Sequence, residues 1–189
     1  MKTINFCGDS YCKKAIPEAY TAILAKKLNA KIIGLGAAGS AYEHAIQSFD
    51  PSADYTVFCW TEAHRIYTRN IDAPITPGWA DAHKHDTPKY KAAYIYYKFL
   101  HDWDYAEEVR TRILYWFDET VLSKYKGKLL HLSCFDDCVY NFRHGNIYPK
   151  TLNLLRDDPF CLNVENEVAN HFTLEQNAQL AEELYEFLK

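Results

Sequence analysis

The chain has 189 residues, of which 48% are hydrophobic and 24% are charged, and its formal net charge is -4 at pH 7. This length and composition predict a globular chain with a core of ordinary size, and they exclude a disordered or fibrous protein. The weak negative charge and the lack of a basic run give no electrostatic support to a nucleic-acid partner. No apolar run approaches the roughly 18 residues of a membrane span, so we expect no membrane insertion.

The N-terminal residues lack the long apolar stretch and small-residue cleavage site of a secretory signal peptide. We therefore expect a cytoplasmic protein, unless it is part of a virion or leaves the cell by another route. Cysteines stay reduced in the cytoplasm, so the six cysteines are expected to behave as small hydrophobic residues. Their spacing matches no zinc site, and we predict neither a metal nor an organic cofactor.

The opening stretch, residues 4–12, predicts a short strand that breaks at Gly8, Asp9 and Ser10. A helix is expected to follow over residues 16–29. In an open α/β sheet, the turn after a strand faces the ligand crevice at the carboxyl ends of the strands. Ser10 is therefore a candidate nucleophile. The tripeptide is also common in plain turns, and that alternative stays open.

A second short strand, over residues 30–33, is expected to be buried and to end in a loop with three glycines, residues 34–40. The glycine spacing matches neither a Walker phosphate loop nor a dinucleotide fingerprint, so nucleotide binding is a weak alternative. A helix over residues 41–49 and a central strand over residues 54–60 follow. Strands that alternate with helices predict a parallel, doubly wound sheet.

The middle of the chain, around residues 66–90, shows neither the helical nor the strand pattern of apolar residues. It carries scattered proline, glycine and polar residues. We interpret it as a long loop inserted into a single domain that spans residues 1–189. Such loops usually serve as lids or binding loops. His83 and His85, with the aspartates beside them, could bind a metal if the segment were extended, but we favour a solvated polar loop.

The second half of the chain returns to regular patterns. We predict helices over 89–100 and 104–125, a strand over 128–133 that is buried on both faces, and an irregular stretch over 135–160 with some helix near 151–156. Thr173 and Gln176 have the spacing of a capping box, which predicts a last helix that runs to Leu188. His171 therefore lies in a loop directly before a helix, where an imidazole can reach into a crevice as a base.

Three blocks of the sequence together resemble the SGNH, or GDSL-like, hydrolase superfamily. They are residues 6–10, residues 34–40 and residues 171–173, and their order and spacing span nearly the whole chain. The resemblance implies an α/β three-layer sandwich, with a flavodoxin-like parallel sheet and helices on both faces. It also implies a serine hydrolase that acts on an acyl ester of a small molecule or a carbohydrate.

Carried over by position, the resemblance implies that Ser10 is the nucleophile and His171 the general base. The backbone amides of Ser10 and Gly39 would donate hydrogen bonds to the oxyanion, and Thr61 is a further candidate donor. Four more residues are expected to line the site: Asp9, Trp60, Glu62 and Arg65.

The first departure from the family pattern is Glu62, which stands where the family has an asparagine that donates to the oxyanion. An ionised carboxylate can only accept hydrogen bonds and would repel the oxyanion. Thr61 or another group could donate instead, Glu62 could be protonated, or Glu62 could turn away and pair with Arg65. We favour the third option, beside the alternative of an exposed ion pair at the end of the strand.

The second departure is Val168, which stands where the family has an aspartate that orients the histidine. Glu167 is the candidate acid, with Glu165, Asn166 or a backbone carbonyl as alternatives. The acid mainly fixes the tautomer and the orientation of the imidazole, so a dyad would lose rate but keep the reaction. The two departures also support a second hypothesis, an inactive SGNH-like domain that binds a carbohydrate or a protein partner through its many aromatic residues.

Overall fold

Five parallel strands form the centre of the fold. The computed structural model describes residues 1–67, 75–136, 140–155 and 170–189. The strands are β1 Lys2–Gly8, β2 Ala30–Gly34, β3 Tyr55–Trp60, β4 Lys128–Ser133 and β5 Asn146–Ile147. They lie in the order β2-β1-β3-β4-β5, and every neighbouring pair is parallel. The strand order reverses between β1 and β3, which is where doubly wound sheets bind ligands.

Helices cover both faces of this sheet. Within the described ranges they are α1 Tyr20–Lys27, α2 Tyr42–Gln47, α3 Pro77–Ala82, α4 Pro88–Phe99, α5 Trp103–Thr120 and α6 Leu174–Leu188. Residues of α1 and α6 share one buried cluster with the sheet, and residues of α2 and α5 share the other. The predicted α/β architecture with a parallel sheet is therefore confirmed.

The central strands are buried on both faces, and their side chains alternate between the two clusters. Val57 and Cys59 of β3 pack with α1 and α6, whereas Phe58 and Trp60 pack with α2 and α5. The β-branched and aromatic residues of β3 suit this environment. In β4, Leu129 to Leu132 are also buried, as the sequence predicts.

The two edge strands differ from the sequence prediction. We expected β2 to be buried, but Lys31 and Ile33 are exposed, because β2 lies at the edge of the sheet. The prediction did not include β5 at all. It consists of Asn146 and Ile147, which pair with Leu130 and His131 of β4. Two residues are too few to show a period, so only the pairing with β4 identifies this strand.

The stretch that we predicted as a loop contains α3. Thr76 caps this helix, since its side chain accepts a hydrogen bond from the Trp79 N–H at 3.1 Å, and Pro77 occupies the first turn. Proline is favoured there because its missing N–H would have no helical partner. Pro77 is therefore a helix start signal rather than the loop residue that the sequence pattern predicts. His83 pairs with Asp86 at 2.6 Å at the end of α3, so the extended metal-binding arrangement is not formed.

Helix α1 is shorter than predicted, because another helix determines where it begins. The Tyr20 N–H donates to Asn177 Oδ1 of α6 at 2.8 Å, and α1 starts at that residue. Asn29, with φ +50°, follows the helix.

The predicted break between α4 and α5 is present. Helix α5 ends at Thr120, and a 3₁₀ turn over Leu122–Lys124 replaces the predicted last helical turn.

The described cysteines lie in the core of the fold. Four cysteines in the described ranges are buried thiols outside any disulfide, as expected for reduced small hydrophobic residues: Cys7, Cys12, Cys59 and Cys134. Cys138 and Cys161 lie outside the described residues. None of the helices in the described ranges is long and apolar enough to cross a lipid bilayer.

A capping box begins α6, as the sequence predicts. The Gln176 N–H donates to the Thr173 hydroxyl at 3.2 Å, and the Thr173 N–H donates to Gln176 Oε1 at 3.0 Å. We expect Thr173→Ala to lower the free energy of unfolding by about 1 kcal/mol, measured by urea denaturation. Thr120→Ala at the opposite end of a helix is the control, because its hydroxyl bonds a carbonyl within α5. Equal losses in the two variants would contradict the capping role.

Candidate active site

Ser10 begins a 3₁₀ turn, Ser10–Cys12, directly after β1. Asp9 caps this turn, because its Oδ1 accepts a hydrogen bond from the Tyr11 N–H at 3.0 Å. A Cβ atom on Gly8 would lie 2.4 Å from the Cys59 carbonyl oxygen of β3, so only glycine allows the two strand ends to approach so closely. The Gly-Asp-Ser sequence thus places a serine hydroxyl at the carboxyl ends of β1 and β3.

The structure places His171 beside Ser10, although 161 residues separate them in the sequence. The distance between His171 Nε2 and Ser10 Oγ is 2.7 Å, which is a good hydrogen bond. With Nε2 unprotonated, the hydroxyl is the donor and the imidazole the acceptor, which is the geometry for proton removal from a serine.

Two neighbours hold His171 in place. Asn170 accepts a hydrogen bond from the Lys14 N–H at 2.7 Å and donates to the Lys14 carbonyl at 3.0 Å, which ties the histidine loop to the segment after the Ser10 turn. Phe172, the next residue in the chain, is fully buried. Asn170 and His171 both have positive φ, +54° and +70°. Two such residues in succession are uncommon and are kept only where surrounding contacts stabilise them, often at functional sites.

The glycine-rich loop after β2 lies along the same turn. Both the Ala37 N–H and the Ser40 hydroxyl donate to the Gly8 carbonyl at 2.9 Å. Gly39 lies between these two anchors and has φ +67°, a conformation that favours glycine. The loop that contains Gly39 is thus anchored to the carboxyl end of β1, which Ser10 follows.

Thr61 directly follows β3 and is only 1% exposed. Its hydroxyl is buried and has no hydrogen-bond partner among the residues that the structure describes. A buried hydroxyl without a partner is destabilising, so such groups in native proteins usually have a functional reason. Thr61 therefore places a buried hydroxyl, without a partner among the described residues, at the strand end next to that of Ser10.

A buried ion pair lies directly behind the nucleophile turn. Arg65 Nη1 is 3.1 Å from Asp9 Oδ2, and Asp9 is fully buried. Cys134 donates to the other carboxylate oxygen at 3.5 Å. Burial raises the pKa of Asp9 to about 6, against the opposing effect of the Arg65 charge. Asp9 thus depends on Arg65 to remain ionised near neutral pH.

Arg65 also binds Glu62 and the glycine-rich loop. Its Nε donates to Glu62 Oε1 at 3.3 Å, and its Nη1 donates to the Ser40 carbonyl at 3.3 Å. The Glu62–Arg65 pair that we favoured from the sequence is present. The alternative of a fully exposed pair is wrong, because Arg65 is buried. One guanidinium thus connects the ends of β1 and β3 with the loop after β2.

Trp60 has a different position from that of the other predicted site residues. Its indole is 1% exposed and stacks on Phe58 and Phe142, with ring centroids 4.7 and 5.1 Å away. The indole N–H donates to His131 Nδ1 at 3.1 Å. Trp60 therefore belongs to the core on the α2 and α5 face and does not line the surroundings of Ser10.

Sequence reasoning missed two residues that support the site. Asn170 orients the histidine loop, and Cys134 supports Asp9. The only available signal was the tolerance of asparagine for positive φ, since Asn170 directly precedes the candidate base. Glu167, the candidate acid, lies outside the described residues, as do Glu165 and Asn166.

The fold and the site together define an α/β protein with a serine hydroxyl and an imidazole paired where the strand order of a parallel sheet reverses. Comparison of the chain with protein-family models, curated proteins and solved structures gave no match. The chemistry of the site therefore follows from the geometry of its own residues.

Proposed function

We propose that this protein is a serine hydrolase that cleaves or transfers an acyl ester, with Ser10 as the nucleophile and His171 as the general base. The observation that carries the proposal is the 2.7 Å hydrogen bond between His171 Nε2 and Ser10 Oγ. A serine hydroxyl is a weak nucleophile until a neighbouring base takes its proton, and this pair supplies the base. The SGNH-type resemblance of the sequence supports the same assignment.

The proposed reaction has two halves. Ser10 Oγ attacks the acyl carbon while its proton passes to His171 Nε2, and a tetrahedral oxyanion forms. When the ester bond breaks, His171 returns the proton to the leaving alkoxide and the acyl group remains on Ser10. Water, or a second alcohol in a transferase, then attacks the acyl carbon while its proton passes to His171 Nε2. The bond from this carbon to Ser10 Oγ breaks, His171 returns the proton to that oxygen, and the acid or the new ester leaves.

Stabilisation of the oxyanion is proposed to come from the backbone amides of Ser10 and Gly39 and from the Thr61 hydroxyl. The position of Thr61 directly after β3 supports this role, as does the lack of a hydrogen-bond partner for its hydroxyl among the described residues. The Glu62 carboxylate pairs with Arg65, which reduces its repulsion of a developing negative charge. In this proposal Thr61 donates the hydrogen bond to the oxyanion that an asparagine side chain donates in the SGNH superfamily.

The test is labelling with a fluorophosphonate probe, which reports an activated serine without knowledge of the substrate. We expect the native chain to be labelled, and we expect both Ser10→Ala and His171→Ala to abolish labelling. Ser123→Ala is the matched control, because that hydroxyl only bonds a carbonyl at the end of α5. It is expected to retain full labelling.

Two outcomes would contradict the proposal. Labelling that persists in Ser10→Ala would place the reactive serine elsewhere. No labelling of the native chain, in a sample shown by circular dichroism to be folded, would favour the second hypothesis of a binding domain without catalysis.

A further inference from the structure

Helix α4 buries only one of its twelve residues, Ala93. Ala93 and the partly buried Tyr94 and Tyr97 pack in a small cluster with Ala80 of α3. A surface helix of a globular protein usually places its apolar residues on the side that packs on the core. In α4 a large part of the apolar surface lies on the other side, where it is exposed.

The exposed side of α4 carries a second set of apolar residues. This set, which we call the α4 stripe, consists of Pro88, Ala92, Ile95 and Phe99, and all four are exposed. Phe99 is 68% exposed. Alternating intervals of three and four positions are those of the residues along which one helix packs on another in a coiled coil. The α4 stripe therefore has the spacing that suits a partner helix.

The exposed apolar surface extends beyond the stripe at both of its ends. Leu100, directly after α4, is 73% exposed, and Trp103 at the start of α5 is exposed as well. At the other end, Pro88 and Ile95 form part of the wall of a groove of about 580 Å³. Contiguous apolar surface of this kind marks an interaction site, and a groove beside it can receive side chains of a bound helix.

The charged residues of α4 all have the same sign. They are Lys89, Lys91 and Lys98, and residues 87–101 include no aspartate or glutamate. Lys91 and Lys98 are exposed and lie seven positions apart, so both border the α4 stripe on the same side. None of the three lysines forms an ion pair with a carboxylate in the part of the chain that the structure describes.

The lysines of α4 indicate the charge of the partner. On α5, by contrast, Glu107 pairs with Arg110 and Glu108 pairs with Arg112. Charges beside an apolar seam select a partner helix of opposite charge. Two α4 helices from two copies of this chain would bring lysines together without any carboxylate, which like-charge repulsion disfavours. A partner with carboxylates beside its apolar residues would complement α4.

We infer that the α4 stripe is a docking site for an acidic amphipathic helix of another protein. The apolar residues of that helix pack on the stripe, and its carboxylates pair with Lys91 and Lys98. The inference does not rest on the proposed function, because it uses neither Ser10 nor His171.

The experiment measures the binding of a synthetic peptide by fluorescence anisotropy. The probe is a fluorescein-labelled peptide of three heptads, with leucine at the seam positions and glutamate at the flanking positions. Repulsion among its glutamates keeps the free peptide largely unfolded. We expect the native chain to bind it with a dissociation constant of about 10 μM, and we expect its helical circular dichroism to increase on binding.

Two variants test the two parts of the surface. We expect Phe99→Ser and the double variant Lys91→Glu, Lys98→Glu each to raise the dissociation constant about tenfold. These side chains are exposed, so the free energy of unfolding should stay unchanged. The double variant is also expected to bind a second peptide, in which lysine replaces every glutamate, about tenfold more tightly than the native chain does.

The matched control is the double variant Lys124→Glu, Lys126→Glu, which has the same net charge. Both lysines are exposed and follow the far end of α5, which is 18 residues or about 27 Å long. This control is expected to bind the acidic peptide like the native chain. Equal losses of affinity in the two double variants would overturn the inference, because they would show that only the overall charge matters.

Three other results would also overturn the inference. The first is a native chain that does not bind the acidic peptide. The second is a dimer of the chain alone that Phe99→Ser dissociates in analytical ultracentrifugation, which would assign the stripe to a second copy. The third is binding to phosphatidylglycerol vesicles that Lys91→Glu, Lys98→Glu abolishes, in a chain that does not bind the peptide. Peptide binding in a chain that fluorophosphonate does not label would uphold the docking site while the hydrolase proposal fails.

Discussion

Arg65→Met is expected to lower the free energy of unfolding by about 3–5 kcal/mol at pH 8. Asp9 is fully buried, and Arg65 Nη1, at 3.1 Å, is its cationic partner. Methionine fills much of the same space but leaves the carboxylate charge buried without compensation. Urea denaturation followed by tryptophan fluorescence measures the loss.

The loss is expected to be smaller at pH 5. Burial holds the pKa of Asp9 at about 6, above its ordinary value of 3.8. A carboxyl whose pKa is raised in the folded state contributes stability below its unfolded pKa, and this contribution disappears as the pH rises through the folded pKa. Without Arg65 the pKa of Asp9 rises further. At pH 5 the carboxyl of the variant is therefore protonated, and the buried charge that destabilises it is absent.

Two further variants separate the ion pair from lost packing. The double variant Asp9→Asn, Arg65→Met carries no buried charge at this position and is expected to recover much of the stability at pH 8. Arg112→Met removes an arginine that is 69% exposed and pairs with Glu108, and its effect should be under about 1 kcal/mol. A loss in Arg65→Met that is equal at pH 5 and pH 8 would refute the role of the Asp9 charge.

Thr61→Val is expected to lower kcat for ester hydrolysis by about 10²–10³-fold without lowering stability. Valine keeps the shape of threonine but removes the hydroxyl that we propose as an oxyanion donor. That hydroxyl is buried and has no partner in the described ranges, so its removal should leave the free energy of unfolding unchanged or slightly higher. Hydrolysis of p-nitrophenyl acetate and urea denaturation measure the two effects.

Thr61→Ser provides the matched control, because serine retains the hydroxyl. It is expected to keep most of the activity that Thr61→Val loses. Full activity in Thr61→Val would rule out the hydroxyl as a donor. Parallel losses of activity and stability would instead indicate a structural role for Thr61.

Local patterns were sufficient for much of the fold. The apolar runs of β1, β3 and β4 predicted strands, and the run of β4 predicted burial on both faces, because a strand covered on both faces shows no alternation of polar and apolar residues. The capping box at Thr173 predicted where α6 begins, since both of its hydrogen bonds join residues three positions apart. The α/β class follows from the alternation of these strands with helices.

Local patterns failed where one segment depends on another. Helix α1 begins at Tyr20 because Asn177 of α6 accepts its N–H, and no residue near Tyr20 shows this. Trp60 is part of the core because the register of β3 directs its ring towards α2 and α5. In a strand whose residues are all apolar, the sequence does not indicate which face a side chain will occupy.

The sequence by itself determined the class of fold, the turn that carries Ser10 and the helix that follows His171, because each depends on neighbouring residues and their period. Only the tertiary structure decided which of these elements meet. The 2.7 Å contact between His171 and Ser10, and the Arg65 guanidinium that joins Asp9 to Glu62, depend on how the strand ends converge. The strand ends converge because segments that are far apart in the chain pack together. Hydrophobic periodicity and helix capping are local patterns and cannot specify this packing.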